Sequence, residues 1–201
     1  MRRALVLDIG GVFYLDRPDD AFWTRWGART GTNGAHLKAG VWHGPDIEAT
    51  NAGRLHRDAY FARTAARLGI SPAHAEAMIR EAFAGGMNTA LAEHVRGLRA
   101  RGAAVHALTN NWSLERELKA RPEFDGLFDL VVSSCEVGCA KPGADIYRLA
   151  LERFGRTADE IVFVDDTPAC VETARMLGIR TVHFQTTDQA IREIETLLLA
   201  D

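Results

Sequence analysis

The chain of 201 residues predicts an α/β fold, in which a doubly wound parallel sheet carries helices on both faces and a helical segment is inserted after the first strand. Two patterns indicate this class. Five short apolar runs, the first at residues 4–7, are separated by segments of helical periodicity. The long stretch after the first run shows helical patterns alone. We therefore expect an α/β core from residues 1–15 and 88–201, and a helical unit, called the cap, from residues 16–87.

Composition and charge narrow the class of protein further. Hydrophobic residues make up 47% and charged residues 25%, as in ordinary soluble proteins, so neither disorder nor a fibrous repeat is indicated. The net charge of −3 predicts no nucleic-acid partner and no acidic membrane surface. Three cysteines without a short-spaced framework suit a reducing compartment, and neither a signal peptide nor a membrane-length apolar run is evident. We expect a cytoplasmic protein, with its oligomeric state left open.

The first strand ends at a carboxylate followed by two glycines. Residues 4–7 are wholly apolar, which is typical of a strand buried on both faces inside a parallel sheet. Asp8 then lies at the carboxyl end of the strand, where open α/β sheets bind ligands, and Gly10 and Gly11 let the backbone approach a ligand closely. Taken alone, this stretch is explained equally well by an ordinary turn with Asp8 as its cap.

The cap is predicted to consist of helices. A helix start at residues 17–20 is followed by Phe22, Trp23 and Trp26, whose spacing places them on one helix face. Glycines and prolines separate the later helical segments. Further helices are expected at residues 35–42, 58–68 and 72–83, with a break at 30–34, a turn at 44–46 and a closing glycine pair at 85–86.

The rest of the core alternates between helix and strand. Each predicted strand is a short apolar run, and glycine or proline marks several of the helix ends. Strands are expected at residues 103–108, 129–132, 161–164 and 180–184. Helices are expected at residues 89–101, 113–120, 144–154, 168–178 and 188–199.

Polar side chains recur where these strands end. The carboxyl ends of the strands in a doubly wound sheet share one edge, so groups that follow them can converge on one crevice. Clustered carboxylates suit a hard cation such as Mg²⁺, a lysine can offset phosphoryl charge, and a carboxylate near the metal can attack phosphorus. The groups are Asp8, Thr109, Asn110, Lys141, Asp165 and Asp166.

Four stretches, in order, resemble the motifs of the haloacid dehalogenase superfamily: residues 5–12, 108–110, 138–142 and 163–166. The resemblance covers the core, about two-thirds of the chain, and extends weakly into the cap at residues 53–61. It implies the strand order 3-2-1-4-5 and a small helical cap. It also implies a Mg²⁺-dependent phosphatase that acts on a small phosphorylated metabolite through an aspartyl-phosphate.

The resemblance further implies a role for each site residue. Asp8 would be the nucleophile, Thr109 and Asn110 would bind phosphate, and Lys141 would steady the nucleophile and the transferring group. Mg²⁺ would be held by Asp8, the backbone carbonyl of Gly10 and Asp166, with Asp165 beside them as a further catalytic residue.

One position departs from the phosphatase pattern. Gly10 stands where phosphatases of this family usually carry a second aspartate, the general acid and base. General acid catalysis contributes ~10²–10⁴-fold, so its loss predicts slow hydrolysis, a preference for good leaving groups, or a substitute residue. Some family members with Asp-x-Gly resemble sugar-phosphate phosphatases, so a sugar phosphate is one candidate substrate. We hypothesise that one of four cap residues supplies the proton instead: His43, Asp46, Glu48 or His56. Wild-type turnover in all four single alanine variants would reject this hypothesis.

Two other functions remain open. A phospho-ligand-binding or regulatory protein without turnover would explain Gly10, although the retained nucleophile, lysine and late carboxylates argue against it. Haloacid dehalogenation would use Asp8 on a carbon–halogen bond, but it needs no metal and leaves the pair Asp165-Asp166 unexplained. Epoxide hydrolysis belongs to a different domain that is sometimes fused to relatives of this fold.

Overall fold

The computed structural model describes residues 3–15, 18–41, 44–82, 86–111 and 124–199. The helix predicted at residues 113–120 and the candidate His43 lie outside these ranges. Within them, no helix is both long and apolar enough to cross a membrane.

Among the described residues, five parallel strands form one sheet in the order β3-β2-β1-β4-β5, which confirms the predicted order 3-2-1-4-5. The strands are β1 Ala4–Leu7, β2 Val105–Thr109, β3 Leu130–Ser133, β4 Ile161–Asp165 and β5 Arg180–His183. The central strand β1 pairs with β2 on one side and β4 on the other. Helices cover both faces of the sheet at β1, so every side chain of β1 is buried. This burial on both faces agrees with the wholly apolar sequence of the strand.

Among the described residues, five helices lie between β1 and residue 88, and the others precede β2 or follow β3, β4 and β5. They are α1 Asp20–Thr30, α2 Gly34–Val41, α3 Pro45–Asn51, α4 Arg57–Leu68, α5 Pro72–Ala82, α6 Thr89–Ala100, α7 Ser134–Val137, α8 Ala144–Phe154, α9 Pro168–Met176 and α10 Thr187–Leu199. A short 3-10 helix, Ala158–Glu160, precedes β4.

Two short helices differ from the sequence-based expectation. Helix α3 stands where only a turn was expected at residues 44–46, because Pro45 is its first residue and Asp46 and Glu48 lie in its first turn. Proline and acidic side chains both favour a helix start, so the Gly-Pro pair marks a helix beginning. Helix α7 is a single turn inside the loop expected before Lys141, and it ends at Gly138 in a left-handed conformation (φ 76°).

Two apolar layers flank the sheet. Side chains of β1 alternate between its faces: Leu5 and Leu7 pack with α6 and α10, whereas Ala4 and Val6 pack with α8 and α9. This alternation follows from the strand geometry, in which successive side chains point to opposite faces. The sheet is therefore held from both sides, which fixes the position of the residues at its carboxyl edge.

A third apolar cluster lies among the helices of the segment between β1 and α6. It includes Trp23 and Trp26 of α1, both buried as expected, together with residues of α2, α4 and α5. The chain enters and leaves this segment side by side, because the Leu15 N–H donates to Gly86 and the Asn88 N–H donates to Phe13. The division into a core and a cap at residues 16–87 stays a prediction.

Candidate active site

The candidate site lies at the carboxyl edge of the sheet. Asp8 directly follows β1, Asp165 ends β4, and Lys141 lies in the loop between α7 and α8. The structure brings these three residues and Asp166 together, as their positions after separate strands led us to expect. Strand pairing explains why, because β1 and β4 are neighbours and end at the same level.

Lys141 is buried between two carboxylates. Its Nζ lies 2.6 Å from Asp165 Oδ2 and 3.0 Å from Asp8 Oδ1, and its side chain is 1% exposed. The same nitrogen lies over the Phe163 ring, 5.4 Å from the ring centroid. Burial by itself lowers the pKa of the Lys141 ammonium, but the two carboxylates outweigh burial and raise the pKa above its ordinary value. Lys141 is therefore a permanent cation at physiological pH.

Asp8 is held by its Oδ1 atom. The Ile9 N–H donates to Oδ1 at 2.7 Å, and the Lys141 ammonium contacts the same oxygen. Burial raises the pKa of Asp8 to about 6, and Asp165 adds to the rise while Lys141 opposes it. At neutral pH the carboxyl group is thus mainly ionised, which a nucleophile requires.

The two adjacent aspartates, Asp165 and Asp166, differ in burial and in their hydrogen-bond partners. Asp165 is completely buried, and its second oxygen, Oδ1, accepts the Thr167 N–H at 2.8 Å. Asp166 is partly exposed, and its backbone carbonyl accepts a hydrogen bond from His183 Nε2 at 3.2 Å. The Asp166 carboxylate also accepts the Thr167 hydroxyl at 3.4 Å, and its partial exposure makes it the more accessible of the two to a ligand.

Three carboxylates at this edge could hold a cation. Asp8, Asp165 and Asp166 each offer an oxygen, and these oxygens lie within 4.8 Å of one another. Hard carboxylate oxygens are the donors that Mg²⁺ prefers, so this donor set fits the predicted metal. The backbone carbonyl of Gly10 stays a predicted fourth contributor.

The neighbouring strand β2 supplies Thr109 and Asn110. Thr109 is the last residue of β2 and is buried, one strand away from Asp8. The Asn110 side chain instead meets the Lys141 backbone: Nδ2 donates to the Lys141 carbonyl at 2.8 Å, and Oδ1 accepts the Lys141 N–H at 2.9 Å. Phosphate binding by these two residues stays a prediction.

Gly10 leaves open space beside Asp8. The residue is exposed, and a Cβ atom built on it would meet no atom within 4 Å. Its φ is not in the left-handed region, whereas Gly11 has φ 79°. Neither the backbone conformation nor the surrounding atoms therefore require glycine at position 10, and a residue with a side chain would fit there.

The cap candidates for a proton donor have different surroundings. Asp46 is paired with Arg63 at 3.1 Å and with Arg67 at 2.8 Å. His56 is exposed and caps α4 by accepting the Asp58 N–H on Nδ1, while Glu48 is exposed on α3. Asp46 is thus already engaged by two arginines. The hypothesis of a cap proton donor stays untested.

Sequence reasoning missed several supporting residues. Ser134 Oγ accepts the Asn111 N–H at 3.1 Å and joins α7 to the end of β2. His183 contacts the backbone of Asp166, and the Thr167 N–H holds Asp165. The Thr167 contact could have been anticipated, because an aspartate often accepts a hydrogen bond from the N–H two residues later. Ser134 and His183 carry no comparable local signal.

A sequence model of the haloacid dehalogenase-like hydrolases, a hydrolase family, matches residues 3–178. Among curated relatives, bifunctional epoxide hydrolase 2 of Sus scrofa is 38% identical over 103 residues, which are 49% of this chain and 19% of that protein. Phosphoserine phosphatase of Thermus thermophilus is 40% identical over 86 residues, which are 42% of this chain and 34% of that protein. The chain thus spans only a minor part of each relative's length.

Solved structures share the fold over nearly the whole chain. A predicted HAD-like family hydrolase from Porphyromonas gingivalis has a TM-score of 0.80 at 22% identity, and all of both chains is covered. A HAD family enzyme from Bacteroides thetaiotaomicron, in complex with magnesium and inorganic phosphate, has a TM-score of 0.73 at 18% identity, covering 93% of this chain and 96% of that chain. An L-2-haloacid dehalogenase has a TM-score of 0.71 at 22% identity, covering 98% and 99%.

Proposed function

Since this chain belongs to the haloacid dehalogenase-like hydrolase family, we propose that it is a Mg²⁺-dependent phosphatase that hydrolyses a small phosphorylated metabolite through an aspartyl-phosphate on Asp8. The observation that carries the proposal is the buried Lys141 ammonium, 3.0 Å from Asp8 and 2.6 Å from Asp165. A fixed cation beside an ionised carboxylate suits a reaction that brings a phosphoryl group to that carboxylate.

In the first step, an Asp8 oxygen attacks the phosphorus atom of the substrate. The bond between phosphorus and the leaving oxygen breaks, and that oxygen takes a proton from water. Oδ1 is held by Lys141 and the Ile9 N–H, so Oδ2 is the oxygen left for attack. The anchoring of Oδ1 orients the carboxylate and reduces the entropy lost in reaching the transition state.

In the second step, water attacks the phosphorus atom of the aspartyl-phosphate. The bond between phosphorus and the Asp8 oxygen breaks, and the carboxylate is restored. One proton of the attacking water neutralises the hydroxide left by the first step, and the other proton leaves on the phosphate. One water molecule is consumed overall, and the products are an alcohol and inorganic phosphate. The Lys141 ammonium keeps its positive charge throughout, because its pKa is raised.

Asp8, Asp166 and the Gly10 carbonyl would hold the metal. Bound Mg²⁺ would neutralise charge on the phosphoryl oxygens and orient them. Asp165 would act on Lys141 instead, since its oxygens are engaged by Lys141 and the Thr167 N–H. The site thus separates a carboxylate that positions the lysine from carboxylates that face the ligand.

The comparisons support this choice of chemistry. A relative of 40% identity over its matched segment is named a phosphoserine phosphatase, and a structural neighbour is a complex with magnesium and inorganic phosphate. We also propose a cytoplasmic location, which the three cysteines support because none of them forms a disulfide. The proposed partner is the small phosphorylated substrate, with no nucleic acid or membrane.

A phospho-ligand-binding protein without turnover is the second candidate, and Gly10 is the observation that favours it. Dehalogenation has a fold neighbour in its favour, but the cluster of Asp8, Asp165 and Asp166 fits a metal that this reaction does not need. We therefore rank dehalogenation below both phosphate-directed functions.

A substrate panel tests the proposal. Phosphate release would be measured with Mg²⁺ or with EDTA for sugar phosphates, nucleotides, phospho-acids and p-nitrophenyl phosphate. Asp8→Asn would be compared with Asp145→Asn, a matched control at an exposed position paired with Arg148. We expect release that requires Mg²⁺ and is lost only in Asp8→Asn. No release from any compound, in a protein that still binds phosphate, would favour the binding function instead.

A further inference from the structure

We propose that the Asn110 side chain is a positioning group for Lys141 and does not bind phosphate, an inference about the same site that rests on the proposed phosphatase function. Both polar ends of its amide are bonded to one residue. Nδ2 donates to the Lys141 carbonyl at 2.8 Å, and Oδ1 accepts the Lys141 N–H at 2.9 Å. A backbone N–H only donates and a carbonyl only accepts, so chemistry fixes the orientation of this amide.

Lys141 needs such an anchor because it lies outside regular structure. It is in the loop between α7 and α8, yet its ammonium must reach carboxylates that belong to two other elements, β1 and β4. A lysine side chain has four rotatable bonds and considerable freedom. Fixing the Lys141 backbone restricts the positions that its ammonium can reach. Asn110, which bonds that backbone, therefore positions the lysine side chain.

A second contact, made by the first residue of α7, also joins the segment before Lys141 to the end of β2. Ser134 Oγ accepts the Asn111 N–H at 3.1 Å and donates to the Asn111 carbonyl at 3.3 Å. The segment from Ser134 to Lys141 is therefore tied at both ends to two successive residues after β2. The end of β2 thus positions Lys141, and the neighbouring strand β1 positions Asp8.

This arrangement leaves other groups to bind phosphate. Asn110 Oδ1 is an acceptor and cannot donate to a phosphate oxygen, and one of the two Nδ2 hydrogens is used by the Lys141 carbonyl. The Thr109 hydroxyl and backbone N–H groups of this loop remain as donors. On this proposal the second Nδ2 hydrogen makes no contact with phosphate, so Asn110 affects the reaction only through Lys141.

A double-mutant cycle tests the proposal. The variants are Asn110→Ala, Lys141→Ala and the double variant. Asn111→Ala is the matched control, because it is a neighbouring buried asparagine whose side-chain nitrogen has no hydrogen-bond partner within the described part of the chain. The readouts are Mg²⁺-dependent turnover of p-nitrophenyl phosphate, inorganic phosphate binding by calorimetry, and hydrogen exchange of the Lys141 amide.

Displacing a catalytic group by 1 Å can cost ~10²-fold, so we expect Asn110→Ala to lose about that much turnover. The Lys141 amide should lose its protection from exchange in Asn110→Ala and keep it in Asn111→Ala. In the Lys141→Ala background, removing Asn110 should change neither turnover nor phosphate affinity further, because residues that act through one group are not additive.

Three results would overturn the inference: wild-type turnover in Asn110→Ala, an equal loss in Asn111→Ala, or additive effects on phosphate affinity in the double variant. The last would make Asn110 an independent phosphate ligand. If the wild type released no phosphate from any compound, the phosphatase function would fail. Amide exchange and the cycle on phosphate affinity would still decide the role of Asn110.

Discussion

At the residue scale, the site buries more negative than positive charge. Asp8 and Asp165 share the single ammonium of Lys141, and Asp166 lies beside them. Burial raises the pKa of Asp8 to about 6 although Lys141 opposes the rise. An ionised Asp8 is thus kept at a cost in folding free energy, as is common where a carboxylate serves chemistry.

We predict that Asp8→Asn stabilises the metal-free protein at pH 7. The folded pKa of Asp8, about 6, lies above its ordinary value of 3.8, so the folded state binds this proton more tightly than the unfolded state. The Asp8 contribution therefore lowers wild-type stability as the pH rises from about 4 to about 6. The melting temperature of Asp8→Asn should exceed that of the wild type above pH 6, and the difference should shrink toward pH 4.

Thermal unfolding in EDTA across this pH range measures the difference. Asp145→Asn, at an exposed position, controls for the loss of one carboxylate. A lower melting temperature for Asp8→Asn than for the wild type at pH 7 would show that ionised Asp8 contributes net stability.

We predict that Gly10→Asp accelerates the hydrolysis of alkyl phosphates. Space is open at this position, and an aspartate there would supply the missing general acid, which contributes ~10²–10⁴-fold. The gain should be smaller for p-nitrophenyl phosphate, whose leaving group needs no proton. Gly10→Asn is the matched control, since it has the same size without the acid. Equal rates in the two variants would mean that proton transfer is not what Gly10 lacks.

The groups of the site were predictable from the sequence, but their pairing was not. Asp8, Thr109 and Asp165 follow apolar runs, and parallel strands place such residues at one edge. Phosphate binding by Asn110 stays a prediction, but the bond from its amide to the Lys141 backbone, 31 residues away, was not foreseen. That contact depends on loop geometry, which local sequence patterns do not encode.

At the element scale, helices α3 and α7 touch at a glycine. Gly53, two residues after α3, has φ 67°, and a Cβ there would overlap the carbonyl oxygen of Cys135 in α7. The sequence predicted neither helix, because one begins at a Gly-Pro pair and the other is a single turn. Their contact joins the cap segment to the loop that carries Lys141.

We predict that Gly53→Ala reduces turnover more than stability alone explains. The added methyl group would push α3 away from α7, next to the site. Gly69→Ala is a matched control, because Gly69 also has φ 67° and a Cβ there would meet nothing within 4 Å. A left-handed alanine costs about 1–2 kcal/mol in either variant, so both should melt lower. Equal turnover in the two folded variants would leave the contact without a role in catalysis.

At the scale of the whole molecule, one parallel sheet organises the site. Neighbouring strands β2, β1 and β4 end side by side, and two apolar layers hold them from both faces. The alternation of strand and helix made this architecture predictable. The division into core and cap stays a prediction, although the helices after β1 have an apolar cluster of their own.

We predict that Mg²⁺ stabilises the folded protein through Asp166. A ligand that binds only the folded state adds about 2.7 kcal/mol at a hundredfold excess over its Kd. The rise in melting temperature with Mg²⁺ should be large in the wild type and mostly lost in Asp166→Asn, whereas Asp145→Asn should keep it. An undiminished rise in Asp166→Asn would place the cation elsewhere.

The central claim is that Asp8 carries the phosphoryl group during turnover. The most direct measurement is the mass of the protein after acid quench during turnover of acetyl phosphate or p-nitrophenyl phosphate with Mg²⁺. The account predicts an adduct of one phosphoryl group on the peptide that contains Asp8, absent in EDTA and in Asp8→Asn. Mg²⁺-dependent phosphate release by Asp8→Asn at the wild-type rate, without an adduct in either protein, would contradict it.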